Sequence, residues 1–118
     1  MKPQNTVALV NYVLSYMPYT TELENKLTLF FLGILIFTEK DQFTISTKSI
    51  GTGGFSLVGS QNKRKSIHGL DLSRDEILIG IEEINDRGIL EITEVYGHKD
   101  LIHVRLNLLA NITHDMRS

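Results

Sequence analysis

The sequence of residues 72–107 is LSRDEILIGIEEINDRGILEITEVYGHKDLIHVRLN, and it carries the start and stop signals of one helix and one hairpin. Ser73 and Glu76 form a capping box, in which each side chain accepts a hydrogen bond from the backbone N–H of the other residue. Gly88 follows the last polar turn, where helices commonly end in a left-handed residue. The pattern predicts a helix that begins after Ser73 and ends near Gly88.

The predicted helix has one apolar face and is followed by a hairpin. Ile77, Ile81 and Ile84 recur at spacings of four and three residues, and Leu78 widens this stripe. Beyond the helix, apolar and polar residues alternate on both sides of the polar segment 96–100, as in a β-hairpin with one solvated face. The apolar members of this alternation are Leu90, Ile92, Ile102, Val104 and Leu106.

Two segments that precede this stretch are predicted to pack against it. Thr20 or Thr21 can cap a helix that continues through residues 27–37, which are apolar on nearly every side, so we predict a central helix. QFTIS, residues 42–46, suits a short strand that joins the hairpin in a three-stranded sheet. The predicted core consists of Phe30, Ile34, Phe37, Ile77, Ile81, Ile84, Leu90, Ile102 and Val104.

Residues 47–71 interrupt the pattern, because four of the nine glycines lie between Gly51 and Gly59. Each glycine inside a helix costs about 1 kcal/mol relative to alanine, so a helix here is short, broken or displaced, with one turn possible within residues 49–57. The backbone of residues 51–54 could cradle a phosphate, but the Gly-Lys-Ser/Thr of a P-loop does not follow. We therefore predict a flexible loop at residues 51–54.

The N-terminal part carries apolar residues at mostly three- and four-residue spacings over residues 6–17, and Pro18 ends this pattern. We predict an amphipathic helix within residues 1–18. It either packs on its own domain or pairs with its copy in a homodimer, and the sequence leaves both arrangements open. Residues 108–118 are predicted to form a C-terminal tail.

Length and composition limit the classes of function. A chain of 118 residues fits a single domain, residues 1–118, and 42% apolar with 22% charged residues is typical of a soluble globular protein. The N-terminus lacks a secretory cleavage pattern, and the most apolar run, residues 27–37, is well short of the roughly 20 residues of a membrane helix. We predict a cytoplasmic protein without a membrane partner.

The order of helix, short strand, helical element, capped helix and hairpin resembles a winged helix-turn-helix domain, a DNA-binding superfamily. The resemblance begins at Asn25 and includes DRGIL, residues 86–90, between the helix and the hairpin. It implies an α+β fold: a winged helix-turn-helix with an extra N-terminal helix, often a dimerisation element in such proteins, and a C-terminal β-hairpin wing. Residues 47–71 depart from the family, which has a compact helix and a tight turn there.

The resemblance implies contacts with double-stranded DNA from three places. The basic cluster of residues 63–65 precedes the capped helix by about eight residues and can neutralise phosphates. Arg74, at the start of that helix, can read guanine, and the hairpin tip is placed as a wing would be. The candidate DNA-binding residues are Lys63, Arg64, Lys65, His68, Arg74, His98 and Lys99. Each place also fits an exposed turn or helix end without a ligand.

The charge balance favours a different partner. The formal net charge is −2, whereas proteins that neutralise phosphates are usually basic. At the start of the capped helix, Arg74 is followed by Asp75 and Glu76, so that end has one cation against two anions. These features favour a protein partner over DNA.

The sequence offers no constellation for catalysis. His68, His98, His103 and His114 lack the spacing of metal ligands, and residues 60–63 match SxxK without the partner motifs of that enzyme class. The absence of cysteine excludes disulfides and thiolate sites. We therefore predict no enzyme activity, no catalytic residue, no metal and no cofactor.

Two functions follow from these observations. The first is a small winged-helix DNA-binding protein that acts as a homodimer, either as a transcription regulator or as an accessory factor in replication or partition of a phage, plasmid or other mobile element. The alternative is a winged-helix protein-protein interaction module, an adaptor or inhibitor that does not bind DNA.

Overall fold

The computed structural model describes residues 20–107, which form three α-helices, one 3-10 turn and five β-strands in two antiparallel sheets. The helices are α1 (Glu22–Thr38), α2 (Thr47–Thr52) and α3 (Arg74–Arg87), the 3-10 turn is Ser60–Asn62, and the strands are β1 (Gln42–Ser46), β2 (Gly53–Val58), β3 (Arg64–His68), β4 (Leu90–Val95) and β5 (His98–Leu106). The predicted α+β class is confirmed. The predicted N-terminal helix and C-terminal tail lie outside the described residues.

Helix α3 begins and ends as predicted. The Ser73 hydroxyl accepts the Glu76 N–H at 3.2 Å, and the Glu76 carboxylate accepts the Ser73 N–H at 3.1 Å, so both halves of the capping box are present. These hydrogen bonds to Ser73 lower the pKa of Glu76. At the other end, Gly88 adopts φ 81° and its N–H bonds back to α3, which closes the helix.

The predicted three-stranded sheet is confirmed, with β5 between β1 and β4. Phe43 lies opposite Val104 and Ile45 opposite Ile102, so β1 adds its apolar face to that of the hairpin. The polar tip is shorter than predicted: the turn is Tyr96 and Gly97, and residues 98–100 already belong to β5. Gly97 allows this tight turn with φ 80°.

The core contains most of the predicted residues but is centred differently. Phe30 and Phe37 were predicted inside and are only half-buried. Leu29 is 52% exposed and Ile36 is 40% exposed, so α1, which was predicted as a central helix, is not covered by the rest of the described fold on every side. The fully buried side chains include several that were not predicted: Leu27, Phe31, Leu35, Ile50 and Ile89.

Residues 53–68 form a second hairpin, β2–β3, which the sequence did not predict. The predicted helical turn exists as α2 but ends at Thr52, and the predicted flexible loop at residues 51–54 is wrong because these residues end α2 and begin β2. Gly53 has φ 67°, and a Cβ there would overlap the backbone of Gly69. Glycine is therefore required at the start of β2, where the backbone passes close to the residues at the end of β3.

Helices α1 and α3 cross at Gly80. A Cβ at Gly80 would overlap the side chain of fully buried Leu27, so the two helices approach more closely than a larger residue would allow. One turn away, buried Glu24 accepts a hydrogen bond from Arg87 at 3.1 Å. Burial raises the pKa of Glu24, and Arg87 opposes that shift. The crossing thus combines a close apolar contact with an ion pair between a buried carboxylate and a partly exposed guanidinium.

Two glycine-to-alanine substitutions test this crossing. Gly80→Ala should lower the free energy of unfolding by about 1–3 kcal/mol, because the added methyl group has no space against Leu27. Gly33→Ala, in α1, is the matched control: its Cβ meets no atom within 4 Å, so it should raise stability by about 0.5–1 kcal/mol. Urea unfolding followed by circular dichroism measures both. Equal effects of the two substitutions would contradict the close approach of α1 and α3.

Candidate nucleic-acid interface

The basic cluster of residues 63–65 lies at the far end of the β2–β3 hairpin. The 3-10 turn reverses the chain there, with Gln61 and Asn62 in left-handed conformations at φ 58° and 59°. The Gly59 N–H donates to the Lys63 carbonyl at 2.7 Å and closes the turn. Gly59 also lies against Phe37, so the tip of the hairpin sits at the C-terminal end of α1.

The two faces of the hairpin differ in chemistry. Phe55, Leu57 and Ile67 are half-buried on the face that turns toward α1. On the other face Val58 lies opposite Arg64, and Ser56 lies opposite Ser66, all exposed. Alternation along β3 places Arg64, Ser66 and His68 on this outer face. The outer face therefore presents a guanidinium, an imidazole and hydroxyl groups to solvent.

The cations of the hairpin tip have no carboxylate partner within residues 20–107. Arg74 pairs with Asp100 at 3.5 Å, Arg87 pairs with Glu24, and Arg105 pairs with Glu91. By contrast, the ion pairs of the described residues do not include Lys63, Arg64 or Lys65. Three adjacent uncompensated charges at an exposed tip produce a local positive potential in a chain of negative net charge.

Arg74 lies at a second corner of the molecule. Its guanidinium contacts both Asp100 and the Lys99 carbonyl at 3.5 Å, so the start of α3 is tied to the start of β5. Lys48 of α2 lines the same cavity of about 240 Å³ and was not singled out from the sequence. The sequence pattern of α2 alone could not have shown that Lys48 lies near Arg74, which is 26 positions further along the chain.

The structure does not bring all the candidate residues together. The Arg74 side chain contacts the Lys99 carbonyl. The basic cluster lies elsewhere, because β3 extends from the tip at Arg64 to the base of the hairpin at His68, which separates these two residues by about 13 Å. Proximity in sequence suggested that the basic cluster lies beside α3, whereas the strand directs it away from that helix. His98 is exposed next to the turn at Tyr96, whose side chain is fully exposed.

The exposed face of α3 is acidic. The helix contains five carboxylates against two arginines, and both arginines are engaged in ion pairs. Ile79 is 52% exposed among them. The exposed carboxylates are Asp75, Glu76, Glu82 and Asp86, with Glu83 half-buried. A helix with this face would be repelled by a phosphate backbone.

Neither metal chemistry nor a bilayer helix is indicated for the described part of the chain. Residues 20–107 contain no group of three or more His, Asp or Glu side chains that could hold a metal ion. Over the same residues, no helix combines the length and apolarity needed to cross a bilayer. His103, for example, is bonded between Thr44 at 3.1 Å and Gln42 at 2.9 Å on the sheet surface.

Comparison with known proteins finds no family model, no curated protein and no solved structure that matches the chain. Function is therefore inferred from the placement of side chains and from their charge.

Proposed function

We propose that the protein is a small DNA-binding protein of winged-helix type that contacts duplex DNA with the β2–β3 hairpin. The observation that carries this proposal is the tip itself: Lys63, Arg64 and Lys65 are adjacent, exposed and outside every ion pair of the described residues. Phosphate neutralisation by such cations supplies most of the affinity of non-specific DNA binding.

The order of the elements supports the winged-helix assignment. Helix α1, strand β1, helix α2, helix α3 and hairpin β4–β5 follow in that order, and β1 completes a three-stranded sheet with the hairpin. The β2–β3 hairpin is an insertion between α2 and α3. As a DNA-binding protein of this type, the chain fits a transcription regulator or an accessory factor of replication or partition of a mobile element.

The inserted hairpin is better suited to a DNA groove than α3 is. The major groove of B-DNA admits a two-stranded β-ribbon as readily as a helix. On the outer face of β2–β3, Arg64 can bond guanine O6 and N7, while Ser56 and Ser66 offer hydroxyl groups to bases or phosphates. Helix α3 presents carboxylates, and Arg74 is held by Asp100. We therefore assign DNA recognition to the β2–β3 hairpin.

Replacing Lys63, Arg64 and Lys65 together by alanine should weaken binding to every duplex sequence. Each lost phosphate contact lowers the slope of log affinity against log salt by about 0.9, so the slope should fall by roughly two units through the two lysines, while loss of Arg64 acts mainly on base recognition. Fluorescence anisotropy with random and selected duplexes at several salt concentrations measures both quantities. An unchanged affinity and slope would contradict contact by the hairpin.

Arg64→Ala and Arg105→Ala provide a matched pair for the same assay. Both arginines are exposed on strands, but Arg105 is paired with Glu91 and lies on the other sheet. Arg64→Ala should cost about 1–3 kcal/mol of discrimination at the preferred site, since a bidentate contact with guanine is lost. Arg105→Ala should leave the affinity unchanged. A loss that is equal for both variants would indicate a general charge effect rather than a contact.

The acidic face of α3 favours a second candidate function, a protein-protein interaction module. Ile79 is exposed at the centre of a ring of carboxylates, an arrangement that suits a basic partner with one apolar anchor. A protein-protein interaction module of this kind would not bind duplex DNA in the titration at about 0.1 M salt, where interactions between exposed charges are screened beyond about 10 Å. The charge-reversed variant Glu82→Lys would then lose the protein partner while its fold is retained.

We also propose that the protein is a homodimer. The exposed apolar stripe of α1, Leu29 and Ile36 with half-buried Phe30 and Phe37, borders a groove of about 270 Å³ beside β3. The predicted amphipathic segment of residues 6–17 precedes this helix directly and adds further apolar surface. Two symmetric copies would also match DNA half-sites one helical turn apart.

Sedimentation equilibrium tests the dimer. At tens of micromolar the parent should have twice the mass of the 13.4 kDa chain, and Leu29→Glu should reduce it to the chain mass because a charge would be buried in the interface. Glu39→Gln, at the end of the same helix, serves as a control and should remain dimeric. A parent that sediments only at 13.4 kDa contradicts the dimer.

A further inference from the structure

A cleft of about 680 Å³ separates the edge of β1 from the edge of β2. Its apolar floor is formed by Ile34, Ile45, Phe55 and Leu57. Lys40 is the one charged residue that lines it among residues 20–107. A volume of this size is within the range of sites that enclose a ligand.

The register shows which backbone groups of β1 face the cleft. The Asp41 carbonyl accepts the Leu106 N–H at 2.9 Å, which makes these residues a hydrogen-bonded pair of the β1–β5 ladder. Such pairs alternate along an antiparallel ladder, so Phe43 and Ile45 bond to β5. The N–H and C=O of Thr44 therefore point to the free edge.

The register of β2 likewise shows which of its backbone groups face the cleft. The Gly59 N–H bonds to the Lys63 carbonyl, so Leu57 and Phe55 continue the hydrogen-bonded pairs with β3. The N–H and C=O groups of Ser56 and Val58 consequently point away from β3, toward the cleft. Within residues 20–107 these groups have no backbone partner across the cleft, since β1 and β2 belong to separate sheets.

At the opposite edge of the three-stranded sheet, formed by β4, a side chain supplies hydrogen bonds to the outward-facing backbone groups. The alternation directs the N–H and C=O of Ile92 outward from β4, and the Asn85 side chain bonds both, at 2.8 and 2.9 Å. No side chain of the described residues does the same for Thr44 or Ser56. The cleft is thus bordered by two unsatisfied strand edges over an apolar floor.

We propose that this cleft binds an extended peptide segment of a partner protein, which adds as a strand between β1 and β2. Unpaired N–H and C=O groups on both walls match the backbone of an extended chain, and the floor accepts apolar side chains at alternate positions. Lys40, just before the start of β1, favours an acidic residue at that end of the peptide. This inference does not depend on DNA binding.

A displayed library of random linear peptides, selected on the full chain, tests the proposal. The enriched peptides should alternate apolar and polar residues and carry an acidic residue at one end. Lys40→Glu should reverse the charge preference of the selected peptides. A library that yields no enriched peptide, or peptides without alternation, overturns the proposal.

Proline substitutions test the mode of binding. Thr44→Pro removes an N–H that faces the cleft and no ladder bond to β5, so the fold should tolerate it on an edge strand. It should weaken a selected peptide about tenfold, the effect of one lost hydrogen bond. Thr44→Val keeps the N–H and should bind like the parent. Equal affinity of both variants for the peptide contradicts strand addition.

Amide hydrogen exchange of the unsubstituted chain tests strand addition without any substitution that could disturb the fold. The N–H groups of Thr44 and Ser56 should exchange rapidly in the free protein and become at least tenfold slower when the selected peptide is bound. Protection in the free protein at every concentration would mean that the chain's own terminal segments fill the cleft. Protection that rises with protein concentration would mean that a second copy fills it. Either result overturns the proposal.

Discussion

The close crossing of α1 and α3 at Gly80 determines where the other elements of the described fold lie. Gly80 lets α3 approach Leu27 of α1, and the Glu24–Arg87 pair joins the helices one turn away along α1 and two turns away along α3. Since α3 leads directly into β4 through Gly88, the position of the three-stranded sheet follows from this crossing. The sheet then covers the apolar residues that the two helices leave on their shared side, and the core closes around Phe31 and Ile77.

The same arrangement leaves the β2–β3 hairpin as a separate element with a groove on each side. The β2–β3 hairpin is separate from the three-stranded sheet, with its base against α2 and its tip against Phe37. It therefore stands as a separate ribbon with polar groups on its outer side and a free strand edge on each flank. One flank faces the α1 stripe and the other faces β1, so the hairpin borders both grooves and carries the uncompensated cations as well. Most of the surface with a proposed role belongs to this hairpin.

Sequence alone was sufficient to predict the elements whose structure depends on residues a few positions apart in the chain. The capping box at Ser73, the left-handed Gly88 and the alternation of β4 and β5 depend on contacts a few residues apart, and each was predicted. The β2–β3 hairpin was missed because its strands contain glycine and exposed polar residues, and its stability comes from packing on α1. The pairing of Arg74 with Asp100, and the distance of the basic cluster from α3, depend on tertiary contacts between residues far apart in the chain. No local pattern encodes them.

The position of the basic tip relative to α1 bears on the kinetics of association as well as on affinity. At the N-terminal end of α1, Glu22 is paired with Lys26 and Glu24 with Arg87. The cations of the hairpin tip lie beyond its C-terminal end, about 25 Å away for a helix of this length, and have no carboxylate partner among residues 20–107. A polyanion such as the proposed DNA would attract this uncompensated end before any contact is made, so encounters with the basic tip foremost would be favoured during diffusion. The productive orientation is thus favoured at a distance set by the Debye length, and added salt would randomise the approach.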